Sequence, residues 1–448
     1  MADWKQTYLE SAAAQIRWKR ARNPLMRELE DHLESELDAN LAAGMEPEAA
    51  QREALRQMGD AVLVGQELDR VHRPKPQWGL LCLTVLIAIA GAVVRMTIAR
   101  GSTVGEPERV LFYLLLGFAA LLGCYFLDCS FFARHAVVLY CAAVLLGIFS
   151  LIFSPQYAGT SYYSRYFVVM IYPVIYAALV SRLCVKGWFG LLTCLALLIP
   201  LGLICLAAPS LLGLLVLLIS AAAILSRGIW CGWFRISRGK AFGLLGALGL
   251  IGIGAVIFTA RPALSRRLLI ATQPALDAQG YGFQAMQITD ALQHARLWGP
   301  VPAAADGLRT TVCLIPCWDT DALLTCMICR IGWIPFGILC LGLFGLLLWC
   351  AIRILRQRGI LSQLMGLGIL LTLGLQMLCS LAMNLGFVLL GATCPFLMGN
   401  LHSVLDLALM GLLLSALRQE NLPEARIIPH GTTPRISLRS GELVIRFR

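Results

Sequence analysis

The chain has 448 residues, of which 58% are hydrophobic and only 14% charged. Soluble domains run at about 25% charged residues, so a soluble globular enzyme is excluded, together with disorder, collagen and a disulfide-stapled secreted module. With a mean hydropathy of +0.74, the expected class is an all-α polytopic membrane protein preceded by a small helical domain.

The net charge of +11 is unevenly placed: residues 1–76 hold 14 acids against 11 Lys+Arg, and the remainder holds 12 against 26. Basic residues flanking apolar spans fit cytoplasmic loops and anionic head groups, so the excess is read as directed to membrane lipids and not to nucleic acid. No acid lies between Asp128 and Asp277, and none between Asp321 and Asp406.

Residues 1–76 read as a cytoplasmic helical domain. Asn23-Pro24 predicts a helix start, because Asn caps free N–H groups and Pro suits the first helical position. Leu25, Leu29, Leu33 and Leu37 then repeat every four residues up to Gly44, the pattern of an amphipathic helix. A third helix is expected from Met45 to Gly59, and Asp60 is placed to cap a fourth through Val64 and Leu68. Arg73-Pro74-Lys75-Pro76 reads as a stiff basic linker at the membrane edge. No signal peptide is expected, since the first apolar run starts near Trp78 behind an acidic domain.

Residues 77–418 divide into about ten apolar spans, at 78–97, 110–127, 135–153, 166–181, 187–207, 209–226, 241–260, 326–350, 361–391 and 401–417. Pro200 and Pro209 leave open whether 187–226 is one broken pair or two clean helices. Basic linkers at Arg182 and Lys186, at Arg227 to Lys240 and at Arg353 to Arg358 place both termini in the cytoplasm. Residues 261–325 then form a long extracytoplasmic loop that carries five of the 12 later acids. Its mixed charge and its apolar stretches predict a loop folded onto the membrane surface. Residues 419–448 form a basic cytoplasmic tail, solvated or closed into a small hairpin at Ser440-Gly441.

The 16 cysteines fall mostly inside apolar spans, where Cys is a small hydrophobe. Cys326 and Cys329 lack the second pair that a zinc site needs, and Cys313 and Cys317 are free thiols or a disulfide. The six histidines form no metal-protease pattern, His402 reads as a packed or lining side chain, and no phosphate loop or serine-nucleophile motif occurs. The external loop is therefore the best place for chemistry. Asp321 sits where that loop re-enters the membrane beside Trp318 and Thr320, so it is partly desolvated as a general base must be. The loop arginines supply the bidentate donors that a phosphate or pyrophosphate takes.

Several segments of residues 105–420 resemble the FtsW/RodA/SpoVE family, the shape, elongation, division and sporulation proteins. Gly280-Tyr281-Gly282-Phe283-Gln284-Ala285-Met286-Gln287 resembles its glycine–tyrosine–glutamine–x–x–glutamine–serine motif, and Arg266 with Arg267 resembles the arginine pair before it. Pro316, Thr320-Asp321 and Gly332-Trp333 resemble its proline, threonine–aspartate–phenylalanine and glycine–phenylalanine segment. Asn384-Leu385-Gly386, Pro395-Phe396-Leu397 and Gly411-Leu412-Leu413 resemble later family segments. The resemblance implies a ten-span peptidoglycan glycosyltransferase of the bacterial cell membrane, acting in elongation, division or sporulation. Asp321 would be its catalytic aspartate, and Arg266, Arg267, Gln284, Gln287 and Thr320 its substrate-binding residues. Its partners would be a lipid-linked peptidoglycan precursor and a class B penicillin-binding transpeptidase, with a divalent cation such as Mg2+ as the candidate cofactor.

The chain departs from that pattern at defined places. The two glutamates that usually follow the aspartate are Cys329 and Arg330, and the proline–aspartate–leucine–glycine motif is Pro209-Ser210-Leu211-Leu212. The serine–tyrosine–glycine–glycine–serine run is replaced by Met398-Gly399-Asn400-Leu401-His402. These changes motivate a second reading, a scaffold or regulator of envelope assembly with weakened catalysis. A lipid flippase or transporter ranks behind both, since the spans carry almost no ionisable residues apart from Asp406. Residues 1–76 are similar to the helical domain found ahead of some bacterial permeases, on Arg27-Glu28-Leu29, His32-Leu33, Gly44, Glu48-Ala49, Ala54 and Gly59-Asp60.

Overall fold

A computed structural model describes residues 3–72, 76–98, 107–157, 160–161, 167–280, 282–301, 321–357, 359–397, 400–418, 435–439 and 442–446. The chain divides into two compact units, one of residues 76–357 with 361–418 and one of residues 1–75, 358–360 and 419–448. It is all-α in character, with short strand pairs added.

The N-terminal unit holds α1 (Asp3–Gln15), α2 (Lys19–Ala42), α3 (Pro47–Met58) and α4 (Ala61–His72). Leu25, Leu29 and Leu33 are buried, as their four-residue spacing requires. The expected start at Asn23 is corrected: α2 begins at Lys19 and runs through Pro24. Ile16, Ala21 and Leu25 bury together there, so packing carries the helix over a residue that cannot donate to it. α3 starts on Pro47 and stops at Gly59, whose φ of 80° suits a residue without Cβ. Asp60 then caps α4, its Oδ1 accepting from the N–H of Val62 at 2.7 Å. α4 comes close to α1 at Gly65, where a Cβ would meet the Ala12 carbonyl at 2.5 Å. The Tyr8 hydroxyl donates to the Gly59 carbonyl at 3.1 Å and ties α1 to the end of α3.

The membrane unit begins with α5 (Trp78–Ile98), α6 (Pro107–Phe126), α7 (Ser130–Arg134) and α8 (Ala136–Phe153). A two-residue strand pair, β1 (Gln156–Tyr157) with β2 (Thr160–Ser161), precedes α9 (Val169–Leu183). Then follow α10 (Gly187–Ala207), α11 (Leu211–Trp230), α12 (Arg238–Thr272) and α13 (Phe283–Gln293). The unit closes with α14 (Leu323–Ile331), α15 (Trp333–Leu355), α16 (Ile360–Asn384) and α17 (Leu401–Arg418). Beyond it, β3 (Arg435–Arg439) pairs antiparallel with β4 (Glu442–Arg446), as expected of a hairpin, with its turn at Ser440-Gly441 outside the described residues.

Among the described residues, eight segments are long and apolar enough to cross a membrane. One of them, Val169–Ala207, is α9 and α10 joined by a 3-10 turn at Cys184–Lys186. Residues 187–226 are two helices, with Pro200 inside α10. α9 lies at the centre of its bundle, with Tyr172 and Tyr176 fully buried among α8, α10 and α11. Tyr176 donates to the Cys194 carbonyl at 3.2 Å, and Tyr140 of α8 donates to the Leu197 carbonyl at 2.8 Å. α6 and α17 pack at close range, because a Cβ on Gly117 would sit 2.6 Å from Leu407 and one on Gly411 would strike the Leu121 carbonyl.

Three expected boundaries are corrected. The seventh span does not end at residue 260: α12 continues to Thr272, so Arg266 and Arg267 lie on a helix and not in a loop. The eighth is broken at Gly332, whose φ of 93° ends α14 before the span proper begins at Trp333. The ninth stops at Asn384, and the turn at Gly386 (φ 99°) leaves the helix early.

Candidate active site

α14 opens at Asp321-Ala322, and all its side chains from Leu323 to Cys329 are buried. A helix start leaves backbone N–H groups without partners, and the N-cap residue Ala322 has no side chain to accept from them. Asn384, the last residue of α16, supplies the missing cap from across the unit. Its Oδ1 accepts from the Thr325 N–H at 2.9 Å, the third donor of α14. The Thr325 hydroxyl donates to the same oxygen at 2.9 Å and lies 3.1 Å from the Asn384 backbone carbonyl. The Asn384 amide nitrogen donates to the carbonyls of Asp321 and Ser380, both at 2.8 Å. One fully buried side chain therefore fixes the backbone of Asp321, which is itself only 6% exposed.

The other flank of α14 is apolar. Ala322 and Cys329 pack with Ile288 and Ala291 of α13, joined by Val301 and Val388. The Cys329 thiol donates to the Ala291 carbonyl at 3.5 Å. At the two positions where the resemblance leads one to expect glutamates, this chain has a buried packing residue, Cys329, and an exposed cation, Arg330. Gln284 and Gln287 are half-buried on α13, the helix that contacts α14. Arg266 and Arg267 follow on α12, which reaches α13 through the 3-10 turn Pro274–Asp277. Arg266 is exposed and pairs with Asp277 at 3.4 Å, while Arg267 is half-buried. The tight turn requires glycine at 282, where a Cβ would strike the Pro274 carbonyl, whereas at Gly280 it would meet only the movable Asp277 carboxylate. Thr320, Tyr281, Pro316, Trp318 and the pair Cys313 and Cys317 lie outside the described residues.

Asn384 is the residue that sequence reasoning passed over. In the sequence it stands out only within the Asn384-Leu385-Gly386 resemblance, yet its side chain holds the Asp321 backbone. The one available signal was a polar side chain at the end of an otherwise apolar span.

The end of the unit that carries this site is opposite the one where the span begins at Trp78. Gln77 accepts from Arg353 at 3.1 Å near the far end of α15, whereas the site adjoins α15 at its first residue. No group of three or more His, Cys, Asp and Glu able to hold a metal occurs among the described residues.

A second polar cluster lies inside the unit. Arg95, Gln376, Thr393, His402 and Asp406 are each 6% exposed or less. His402 stacks on Phe167 with ring centroids 4.8 Å apart, which makes it a packed side chain. Gln376 Nε2 donates to Thr393 Oγ1 at 2.9 Å, while Gln376 Oε1 and Asp406 Oδ2 have no hydrogen-bond partner among the described residues. A half-turn of the Gln376 amide would let Thr393 donate to Oε1 and Nε2 donate to Asp406, pairing these three side chains with one another.

No protein-family profile matches the sequence. No curated protein matches it either. Solved structures do. A chain of a peptidoglycan synthase complex, described for its coordination of polymerization and crosslinking, superposes with a TM-score of 0.59 at 22% identity, covering 77% of this chain and 98% of that one. The rod shape determining protein RodA of Thermus thermophilus superposes with a TM-score of 0.51 at 19% identity over 78% of this chain and 98% of its own. A point variant of the same protein gives 0.51 at 18%. The chain therefore has the fold of RodA, a membrane fold of packed apolar helices, reached here at an identity that carries the fold alone.

Proposed function

We propose that the protein is a membrane glycosyltransferase that polymerises a lipid-linked disaccharide into glycan strands on the extracytoplasmic side of the bacterial cell membrane, with both termini in the cytoplasm. The single observation that carries this reading is Asp321: a buried carboxylate at a helix start, its backbone fixed by Asn384, in a chain with the RodA fold. Asp321 would take the proton of the acceptor sugar hydroxyl as it attacks the donor's anomeric carbon, and a polyprenyl pyrophosphate would leave. Arg267 and Arg266, with Gln284, Gln287 and Thr320, would hold the substrate, and cationic groups would offset charge on the departing pyrophosphate. Arg266 would have to exchange Asp277 for the substrate. A transpeptidase of the class B penicillin-binding type is the partner this reading implies, since the similar synthase complex couples polymerization with crosslinking.

Purified protein supplied with lipid-linked precursor should form glycan polymer, and Asp321→Ala should lose it. Full activity in Asp321→Ala would reject the assigned base. A specific observation favours a second reading, a scaffold with lost catalysis: neither Cys329 nor Arg330 brings a carboxylate beside Asp321. Wild-type protein that forms no polymer yet still captures a transpeptidase would decide for the scaffold, and substrate-dependent lipid translocation in vesicles would decide for a flippase.

A further inference from the structure

α15 presents one apolar stripe to its surroundings. Ile334, Ile338, Leu341, Leu348 and Ile352 are between 43% and 73% exposed and recur at helical spacing along a span of 23 residues. A stripe of that length and composition faces lipid. It does not stop at the first turn of the helix. Leu297 and Trp298 are 69% and 68% exposed, and their backbone is bound to that turn. The Arg296 carbonyl accepts from the Trp333 N–H and the Leu297 carbonyl from the Ile334 N–H, both at 3.0 Å. Gly299 N–H donates to Ile331 and Val301 N–H to Cys329, both at 3.1 Å. Gly332 makes the approach possible, because a Cβ there would lie 2.8 Å from the Leu297 carbonyl and from Trp298 Cα. Two large apolar side chains are thus held rigidly at the mouth of a lipid-facing stripe. On either side of the bound turn, Arg296 and Arg330 are exposed cations.

We infer that Arg296, Leu297, Trp298 and Arg330 form a phospholipid-binding wedge. Leu297 and Trp298 enter the upper acyl region of the leaflet that surrounds the start of α15, and the two arginines take the phosphates of its anionic head groups. Trp favours that depth because its ring is apolar and its N–H is polar, and arginine extends from an apolar surface to the phosphate layer. The wedge is bonded to the C-terminal end of α14, so it also fixes the depth at which that helix lies. The inference rests on the membrane-spanning role of α15 and is independent of the proposed catalysis.

The full-length chain in nanodiscs of mixed zwitterionic and anionic phospholipid tests it. Benzoylphenylalanine placed at 297 or 298 should yield phospholipid adducts on illumination, and the same group at exposed His294 should not. Arg296→Ser and Arg330→Ser should each lower the anionic share of the adducts by about fivefold, the factor expected for one arginine near a charged leaflet. Folded protein that forms no lipid adduct at 297 and 298, or that crosslinks there to a second protein chain, overturns the wedge. Lipid adducts with an unchanged anionic share in both serine variants overturn the arginine assignment.

Discussion

Asp321 and Asp406 are both buried carboxylates of the membrane unit, at 6% and 2% exposed, yet they sit in different kinds of place. Asp321 directly precedes the first turn of α14, and its own backbone is clamped by Asn384. Asp406 lies within α17, a span 72% buried, beside Gln376 and close to His402 one turn away. Burial by itself does not separate them. Position and backbone rigidity do: Asp321 stands at a helix start with its carbonyl held by Asn384, as the proposed general base requires, whereas a carboxylate deep in a span needs only polar neighbours.

The largest test of this contrast is a pair of variants assayed side by side for polymerisation. Asp321→Ala should fall by about 100-fold or more, the usual scale for a general base. Asp406→Asn should keep most of the activity, since with the Gln376 amide turned the asparagine carbonyl still accepts from Nε2. Equal losses would erase the distinction between the two carboxylates.

Next in size is the clamp. Asn384→Leu leaves the Thr325 N–H and the Asp321 carbonyl buried without their present partners, while the Thr325 hydroxyl keeps the backbone carbonyl of residue 384, a cost of about 2–4 kcal/mol on the scale of unsatisfied buried groups. Detergent-solubilised variant should melt well below wild type, and Asn384→Asp, which keeps the acceptor and loses the donors, should fall between them. A wild-type melting curve for Asn384→Leu would remove the rigid-backbone half of the comparison.

Gly332→Ala should cost about 1–3 kcal/mol, since alanine is strained at φ 93° and its Cβ would press on the Leu297 carbonyl. Thermal unfolding measures it, and the loss should leave the N-terminal unit unaffected.

The smallest effects belong to the N-terminal unit. Tyr8→Phe removes the hydroxyl that reaches Gly59, worth about 1 kcal/mol, and amide exchange in α1 should report it. Lys5 bonds to Glu34 and lies 3.0 Å from Glu30, and the Glu34 bond holds its ammonium above the ordinary lysine value of 10.5. A raised lysine contributes fully below that value and loses its contribution as pH climbs through the folded one. Protection of α1 should therefore decline slightly at strongly alkaline pH, and Lys5→Met should flatten the decline. The pair is largely solvated, so the effect is small.

The two units also differ in how readable they were. In the N-terminal unit, water on one side and a core on the other impose a four-residue spacing, so Leu25, Leu29, Leu33, Gly59 and Asp60 announced their roles in the sequence. In the membrane unit both lipid and core accept apolar side chains, so hydropathy locates a span without marking where its helix begins or ends. The all-α membrane class followed from composition, and the expectation of a fold like that of FtsW/RodA/SpoVE followed from the order of short motifs. Tertiary structure alone decided the rest. It carried α12 past residue 260 to Thr272, broke the eighth span at Gly332, and brought Asn384 across 59 residues of chain to cap Thr325. Those outcomes depend on backbone conformation and on hydrogen bonds between distant segments, which no local pattern of residue types encodes.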